Sequence, residues 1–469
     1  MADQPRVAII GAGISGLSCA YRLRCLNVPF LLFDSSVNPG GLVSSVQRDA
    51  YLFESGPQSF QGTGTLISFI RDLGIHGEML QADPKAPRYI LHKGRFKQIP
   101  MSPQALLTSS LLSAGSRWKI ASEPFRKSRP PSHEESIADF VRRKFGHEIL
   151  EYLVSPFVSG VYAGDPEQLS LKAAFPTLEE WERDYGSILR GAMKSRSAQT
   201  ERKGPPPLCS FRRGVGTFPR AIAQSLGDSF QPGVAVRAVH RESSPGRPAY
   251  ELHTESLGQA ASLGVSAVVL ATPAYTSSHL IASLSPRLGA ILSGIVYAPV
   301  AVVAAAYFSR QVAEILHGFG FLVPRKEKFS VLGTIWNSSL FPGRAPLDKV
   351  VMTSFLGGAT DPDIVAKSRE EIASTAHAEN SKILGIEGRP ITTEVWAYPK
   401  ALPQYNLGHA HILEDLRDAA RETPGLFFSG NYLDGPSIGK CVEQGFSTAE
   451  AVCDFFSLGG AKSDSAPAS

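Results

Sequence analysis

Residues 7–34 read VAIIGAGISGLSCAYRLRCLNVPFLLFD, and this stretch decides the fold. The β-branched run Val7-Ala8-Ile9-Ile10 predicts a buried strand, Ser15–Cys25 predicts a helix, and VPFLLF (28–33) predicts a second strand. The order strand, helix, strand is typical of a parallel sheet covered by helices.

The turn between the first strand and the helix carries the spacing G-x-G-x-x-G at Gly11, Gly13 and Gly16. This spacing allows a tight turn and a close approach of the backbone to a pyrophosphate, which the helix N-terminus would attract. Asp34 ends the second strand, where a carboxylate can accept hydrogen bonds from ribose hydroxyls. We therefore predict a dinucleotide site. The alternative is a plain glycine turn with a capping acid.

Composition sets further limits. The 469 residues are 43% hydrophobic, and at roughly 150 residues per domain this length suggests two or three domains. A net charge of +4 is too small to favour a nucleic-acid partner. The five cysteines include no C-x-x-C pair and are interpreted as reduced thiols. His409 and His411 lack further ligands, so we predict no metal and a structural role for them.

The first strand opens so early that we expect no signal or transit peptide and a cytoplasmic protein. The longest nearly apolar run, IVYAPVAVVAAAYF (295–308), is shorter than the roughly 20 residues of a spanning helix. Pro299 interrupts it, so a buried strand is the better interpretation.

The middle of the chain, about 102–202, is predicted to be helical, with a helix at 134–145 that Ser132 and Glu135 would open as a capping box. Basic, proline-rich segments at 126–131 (RKSRPP) and 203–207 (KGPPP) are predicted linkers. Strand-like sequence at 234–239 and 266–270 indicates that the chain returns to its first sheet. The domain that contains this sheet is therefore predicted to be discontinuous.

Two further glycine-rich segments identify the dinucleotide. Gly40-Gly41, followed by Glu54-Ser55-Gly56-Pro57, resembles the FAD fingerprint of flavin amine oxidases and their relatives. Leu42 departs from that pattern, which often has Arg there. The segment from Gly430 to Gly445 resembles the one that covers the flavin ring; plain loop glycines are the alternative.

Longer segments resemble one family, the protoporphyrinogen oxidases, over nearly the whole chain. They are 159–182 (SGVYAGDPEQLSLKAAFPTLEEWE), 318–324 (GFGFLVP), 333–346 (GTIWNSSLFPGRAP), 403–409 (PQYNLGH) and 430–445. The resemblance implies a mixed α/β fold with a Rossmann-like FAD-binding domain of the p-hydroxybenzoate hydroxylase type, a strand-rich substrate domain and an inserted helical membrane-binding domain. The expected boundaries are 1–86, 206–277 and 405–469 for the FAD domain, 87–192 for the helical domain, and 193–205 with 278–404 for the substrate domain.

The resemblance also implies site residues. Non-covalent FAD would be held by Gly11, Gly13, Ile14, Ser15, Gly16, Asp34, Ser35, Gly40, Gly41, Leu42, Gly56, Pro57, Val236, Thr272, Gly430, Asn431, Gly439, Cys441 and Val442. The porphyrinogen would be bound by Arg88, Gly160, Phe319, Leu322, Leu332, Met352 and Gln58. Without the resemblance, Arg88 would be interpreted as an ordinary surface ion pair and the apolar residues as core.

The implied chemistry is oxidation of protoporphyrinogen IX to protoporphyrin IX in haem or chlorophyll synthesis, with dioxygen as electron acceptor, hydrogen peroxide as product and no assigned acid or base. Alternatives are oxidation of coproporphyrinogen III, another flavin oxidase, or a non-catalytic tetrapyrrole carrier. Apolar residues at 106–112 and the cations Arg117, Lys119, Arg126, Lys127 and Arg129 are compatible with peripheral attachment to the inner face of the cell membrane, or with a solvated basic loop. A homodimer stays open.

Overall fold

A computed structural model describes residues 7–126, 128–198, 206–242, 249–314 and 316–463. The strands are β1 Val7–Ile10, β2 Phe30–Asp34, β3 Ser45–Arg48, β4 Tyr51–Glu54, β5 Phe60–Gln61, β6 Met79–Gln81, β7 Arg88–His92, β8 Arg95–Gln98, β9 Leu208–Phe211, β10 Phe230–Pro232, β11 Ala235–Arg241, β12 Tyr250–Ser256, β13 Gln259–Val265, β14 Ala267–Leu270, β15 Tyr297–Phe308, β16 Gly320–Leu322, β17 Val331–Ile335, β18 Lys349–Gly357, β19 Thr392–Pro403 and β20 Leu426–Phe428. The helices are α1 Ile14–Cys25, α2 Gly64–Asp72, α3 Pro103–Thr108, α4 Ala114–Ser122, α5 Ile137–Lys144, α6 His147–Ile149, α7 Ser155–Tyr162, α8 Leu171–Ala174, α9 Pro176–Tyr185, α10 Ile188–Ala198, α11 Thr217–Leu226, α12 Ala274–Leu280, α13 Pro286–Ser293, α14 Asn337–Leu340, α15 Arg369–Leu384, α16 His409–Ala420, α17 Asn431–Asp434 and α18 Ile438–Ser463.

The first sheet has five parallel strands in the order β10-β2-β1-β14-β20. Both β1 and β14 are buried along their whole length, because each face of the sheet is covered. Helices α1, α11 and α18 pack on one face; the antiparallel sheet β11-β12-β13 and helices α12, α13 and α16 pack on the other. The prediction that 266–270 returns to the first sheet is confirmed by β14, whereas the prediction for 234–239 is wrong because β11 pairs in the separate antiparallel sheet.

The second large sheet has seven strands in the order β19-β15-β18-β17-β16-β7-β8. Strand β15, the second in this order, is the predicted buried strand, and its residues alternate between two environments. Ala304 and Ala306 pack against Tyr51 and Phe53 of β4, on what we call the inner face. The odd-numbered residues 301–307 pack against α15, on the outer face. The inner face therefore lies against the segment that carries the predicted FAD fingerprint.

Residues 103–198 form a helical module around its own apolar cluster. Its predicted capping box is wrong. The cap of α5 is Ser136, whose hydroxyl accepts from the amide of Asp139 at 3.1 Å. Glu135 cannot serve the expected box because its carboxylate is bound to Arg143. Within the predicted apolar run 106–112, Leu111 and Leu112 are buried.

Two strands lie in a part of the chain that was expected to belong to the helical domain. Strands β7 and β8 lie within 87–192, the range expected to be a helical domain, but β7 pairs with β16 and extends the seven-stranded sheet. Residues 199–205, which include most of the second predicted linker, lie outside the described residues, as does Lys127. Among the helices of the described ranges, none combines the length and the apolar character needed to span a membrane.

Candidate FAD and substrate site

The turn from β1 to α1 brings backbones closer than side chains would allow. A Cβ atom at Gly16 would lie 1.9 Å from the carbonyl oxygen of Gly11, and Gly11 itself has a φ of +107°. Gly13 caps α1 without any side-chain hydrogen bond, and a Cβ there would meet nothing within 4 Å. The first amides of α1, including those of Ile14 and Ser15, have no acceptor within the helix, and the missing side chain at Gly13 leaves room for an anion there.

The second glycine pair lies directly over this turn. Gly40 forms a bridge with Gly13, and its amide donates to the carbonyl of Ala12 at 2.8 Å. Gly40 and Gly41 have φ values of +113° and +58°, which glycine adopts at little cost. A Cβ at Gly56 would lie 2.2 Å from the carbonyl oxygen of Leu42. The fold therefore gathers the predicted fingerprint around the turn, with Leu42 contributing backbone at this contact.

Asp34 stabilises the turn between β1 and α1 through a hydrogen bond. Its carboxylate accepts from the amide of Ala12 at 2.6 Å and from the amide of Ser36 at 2.8 Å. Ser35 between them is exposed. Each carboxylate oxygen has further lone pairs, so a ribose hydroxyl could still bind, and this role stays a prediction.

The C-terminal segment reaches the same place. At Gly439, in the first turn of α18, a Cβ would meet only the side chain of Thr63, at 3.8 Å. Farther along, a Cβ at Gly445 would lie 2.4 Å from the carbonyl oxygen of Ser15, so α18 packs tightly on α1. Burial raises the pKa of Cys441 to about 11, against an opposing hydrogen bond with Ser15. Cys441 is thus a neutral packing residue at neutral pH.

The other predicted FAD residues lie on several different elements. Val442 is fully buried in the α1–α18 core, and Gly430 and Asn431 precede and begin α17. The methyl group of Thr272 lies beside Gly11, and Val236 stands at a β-bulge of β11. Pro57 follows Gly56 on the chain.

These features fit FAD. Two helices of 12 and 26 residues converge with their first turns open at Gly13 and Gly439, and two glycine segments approach without side chains. A cradle of helix N-termini of this kind suits a pyrophosphate, and at α18 one amide, that of Lys440, already donates to the hydroxyl of Ser437 at 3.2 Å. The fit rests on the chain's own geometry, and the individual contacts stay predictions.

Five of the predicted substrate residues are gathered on neighbouring elements. Arg88 is the first residue of β7 and lies opposite Gly320 of β16. Its guanidinium carbon lies 5.1 Å from the ring centroid of Phe319, and it forms no ion pair within the described residues. Leu322 contacts α7 so closely that a Cβ at Gly160 would lie 2.5 Å from its Cδ2. Leu332, on β17, accepts a backbone hydrogen bond from Val323 at 2.9 Å and is buried.

Met352 is the exception, and the structure corrects its placement. It lies on the outer face of β18, 1% exposed, in a pocket with His377 and Asn380 of α15. Side chains alternate along a strand, so its neighbours Thr353 and Phe355 take the inner face instead. The sequence analysis named neither Thr353 nor Phe355. The alternation of side chains between the two faces of a strand, applied to the run VVMTSFLG, would have indicated them.

Gln58 is buried and fully engaged. Its amide nitrogen donates to the carbonyl of Gly56 at 2.7 Å, and its amide oxygen accepts from Asn337 at 2.6 Å. Tyr398 of β19 donates to the carbonyl of Ser55 at 3.1 Å. Asn337 and Tyr398 were also missed, because they come from segments far away in sequence.

A buried ion pair joins the fingerprint to the rest of the chain. Arg344 and Glu54 are each 1% exposed, with Nη2 and Oε1 3.5 Å apart. Arg344 also donates to the hydroxyl of Ser210 at 2.7 Å, and the amide of Val215 donates to Glu54 at 3.1 Å. Burial raises the pKa of Glu54 to about 7, although Arg344 and Ser45 act in the opposite direction.

His409 and His411 differ in burial and in their hydrogen-bonding partners. His409 is buried, with Nε2 2.9 Å from the carbonyl oxygen of Tyr432, whereas His411 is exposed and lies beside Glu414. His409 therefore has the predicted structural role. The described part of the chain contains no group of three or more His, Cys, Asp or Glu residues arranged for a metal ion.

Comparison with known proteins gives consistent results. The family model for flavin containing amine oxidoreductase matches residues 14–453. The chain is 35% identical to the chloroplastic protoporphyrinogen oxidase of Nicotiana tabacum, over 96% of this chain and 85% of that protein. It is 26% identical to the coproporphyrinogen III oxidase of Bacillus subtilis (strain 168), over 96% of this chain and 98% of that one.

Among solved structures, a protein from Exiguobacterium sp. 255-15, provisionally assigned as a protoporphyrinogen oxidase, has a TM-score of 0.81 at 23% identity. The match covers 96% of this chain and 99% of that one. At this level of identity the similarity shows a shared fold, and it confirms the expected mixed α/β class; the membrane-binding role of the helical domain stays a prediction.

Glu54→Gln tests the buried carboxyl. Because the native pKa of about 7 lies above the ordinary 4.5, the folded state binds more protons between these values. The stability contribution of Glu54 is therefore full below about pH 4.5 and is lost as the pH rises to about 7. The free energy of unfolding of the native protein should fall relative to that of Glu54→Gln across this window, by at most about 1.4 kcal/mol per pH unit. Urea unfolding at half-unit pH steps measures this difference in the free energy of unfolding.

Glu255→Gln, at an exposed ion pair, is the control. If the free energies of unfolding of the native protein and of Glu54→Gln changed in parallel with pH, the prediction would be contradicted.

Proposed function

Because the chain belongs to the flavin-containing amine oxidoreductase family and, within it, to the protoporphyrinogen oxidases, we propose that it oxidises protoporphyrinogen IX to protoporphyrin IX. FAD is the cofactor, and it supplies the two-electron acceptor when bound. The overall reaction consumes three dioxygen molecules and yields three hydrogen peroxide molecules for the six electrons removed. The observation that carries the proposal is the 35% identity with the tobacco enzyme along nearly the whole chain.

The proposed FAD contacts are those of the converging helix starts. The open first turns at Gly13 and Gly439 would hold the pyrophosphate, with Gly40-Gly41 above it. Asp34 would accept from ribose hydroxyls with the lone pairs that Ala12 and Ser36 leave free.

The proposed substrate site combines one cation with apolar walls. Arg88 has no carboxylate partner in the described part of the chain, and its planar guanidinium suits a propionate arm. Phe319, Leu322 and Leu332 would contact the macrocycle, and Gly160 keeps α7 close to this wall. Phe355, on the inner face of β18, would take the role that Met352 was expected to have.

None of the side chains proposed to contact the substrate is an acid or base that titrates near neutral pH, so we assign no general base. Its residues orient the macrocycle and exclude water, which is the usual contribution of a protein to cofactor chemistry. The pyrrole proton would pass to water or to a neighbouring ring.

Peripheral membrane attachment through the helical module is part of the proposal. Trp118, Phe125 and Met193 are 73%, 81% and 69% exposed, on α4, the 3-10 turn after it and α10, which contact one another through that turn. Exposed aromatic side chains beside Arg126 and Lys119 suit an anionic lipid surface. The location at the inner face of the cell membrane and a homodimer stay predictions.

Turnover tests the function directly. FAD-loaded protein should generate porphyrin fluorescence from protoporphyrinogen IX in air faster than a protein-free blank, and faster than from coproporphyrinogen III. Preference for coproporphyrinogen III would favour the reaction named for the Bacillus relative. No enhancement with either substrate, from protein that holds oxidised FAD, would contradict the oxidase and favour a carrier.

Arg88→Ala removes the proposed propionate contact. We expect kcat/KM for protoporphyrinogen IX to fall by about 10- to 100-fold, corresponding to the loss of one charged hydrogen bond, with FAD still bound. Arg95→Ala, an exposed arginine on the adjacent strand β8, should behave as the native protein. Loss of FAD together with activity would instead indicate misfolding, and unchanged kinetics would exclude the contact.

Flotation with liposomes tests the membrane surface. The native protein should float with anionic vesicles at low salt, and Trp118→Ser combined with Phe125→Ser should reduce the floating fraction severalfold because less apolar area is buried. Leu347→Ser replaces an apolar residue that is even more exposed and lies outside the helical module, and it is the control. Absence of flotation at low salt would defeat this part of the proposal.

A further inference from the structure

Three buried polar side chains form a continuous chain between the seven-stranded sheet and the FAD fingerprint. The hydroxyl of Thr353 donates to Oδ1 of Asn337 at 2.8 Å, and Nδ2 of Asn337 donates to Oε1 of Gln58 at 2.6 Å. Nε2 of Gln58 then donates to the carbonyls of Gly56, at 2.7 Å, and Glu54, at 3.3 Å. We call this set the amide chain.

The direction of every hydrogen bond in the amide chain is fixed from one end. The carbonyls of Gly56 and Glu54 can only accept, so the nitrogen of Gln58 must face them. The oxygen of Gln58 then faces Asn337, which must present its nitrogen. The remaining oxygen of Asn337 accepts from Thr353, so each amide has one orientation.

Burial makes this arrangement costly to disturb. Gln58, Asn337 and Thr353 are 5%, 4% and 0% exposed, and water cannot replace a lost partner there without rearrangement. A buried network that is fully satisfied holds its members rigidly, whereas an unpaired member costs free energy. The fingerprint loop at Gly56 is thereby tied to the strand whose inner face lines the proposed site.

We propose that Asn337 and Thr353 are positioning residues that hold Gln58 and the Gly56-Pro57 loop in a fixed place against the flavin. The inference rests on the proposed function, because the loop faces the flavin only if FAD occupies the cradle. Neither residue contacts the FAD cradle described above; each acts through Gln58.

The experiment compares Thr353→Val, Asn337→Ala and Asn337→Asp with two controls. Thr353→Ser keeps the donor. Ser338→Ala removes different hydrogen bonds between the same helix α14 and the same strand β18, because the Ser338 hydroxyl accepts from the amide of Val351 and donates to its carbonyl. For each protein we would measure the visible absorption spectrum and midpoint potential of the bound FAD, then kcat and KM for protoporphyrinogen IX.

The three network variants should retain FAD but alter its spectrum and potential, and lower kcat about tenfold with little change in KM. Asn337→Asp should be the most affected, because an ionised carboxylate cannot donate to Gln58. Thr353→Ser should restore native values, and Ser338→Ala should match the native protein.

Native spectra and kcat in folded Thr353→Val and Asn337→Ala would overturn the inference, as would equal losses in Ser338→Ala. Failure of the proposed function would be seen separately, as native protein that does not oxidise porphyrinogen. In that case the flavin spectra still decide whether the amide chain positions the loop.

Discussion

The close approach of three backbones around the β1–α1 turn is the constraint on which the rest of the structure depends. Gly11, Gly16 and Gly445 all occupy places where a Cβ atom would overlap another chain segment. Their absence of side chains lets α1 start immediately above β1 and lets α18 pack along α1. The first turns of both helices, which lie almost the whole chain apart in sequence, can then point into one cradle.

The fold also depends on close packing between the region that carries the FAD fingerprint and the seven-stranded sheet. Strand β4 belongs to the fingerprint region but packs against the inner face of β15, and the Glu54–Arg344 pair and the amide chain cross the same boundary. Buried polar links of this kind add little net stability when compared with apolar packing. Their directional geometry, however, allows a single register between the cofactor region and the substrate wall, which supports the proposed reaction at that boundary.

The helical module differs from both sheets. It has its own apolar core, and a buried network of Glu123, Lys144 and Glu182 holds its helices together, while large aromatic side chains point outwards. Of the apolar run 106–112 that the sequence analysis offered to the membrane, Leu111 and Leu112 are buried, whereas Leu107 is exposed. The exposed Trp118 and Phe125 could not be told from core residues by composition, because aromatic residues are common in both places.

The sequence by itself determined the local geometry: the G-x-G-x-x-G turn, the buried strand at 295–308 and the fingerprint glycines, since spacing along the chain dictates backbone conformation within a few residues. Only the tertiary structure decided that Met352 faces α15 while Thr353 faces inwards, and that Asn337 meets Gln58. These contacts depend on strand register and on packing between segments up to 279 residues apart, a separation that no local pattern encodes.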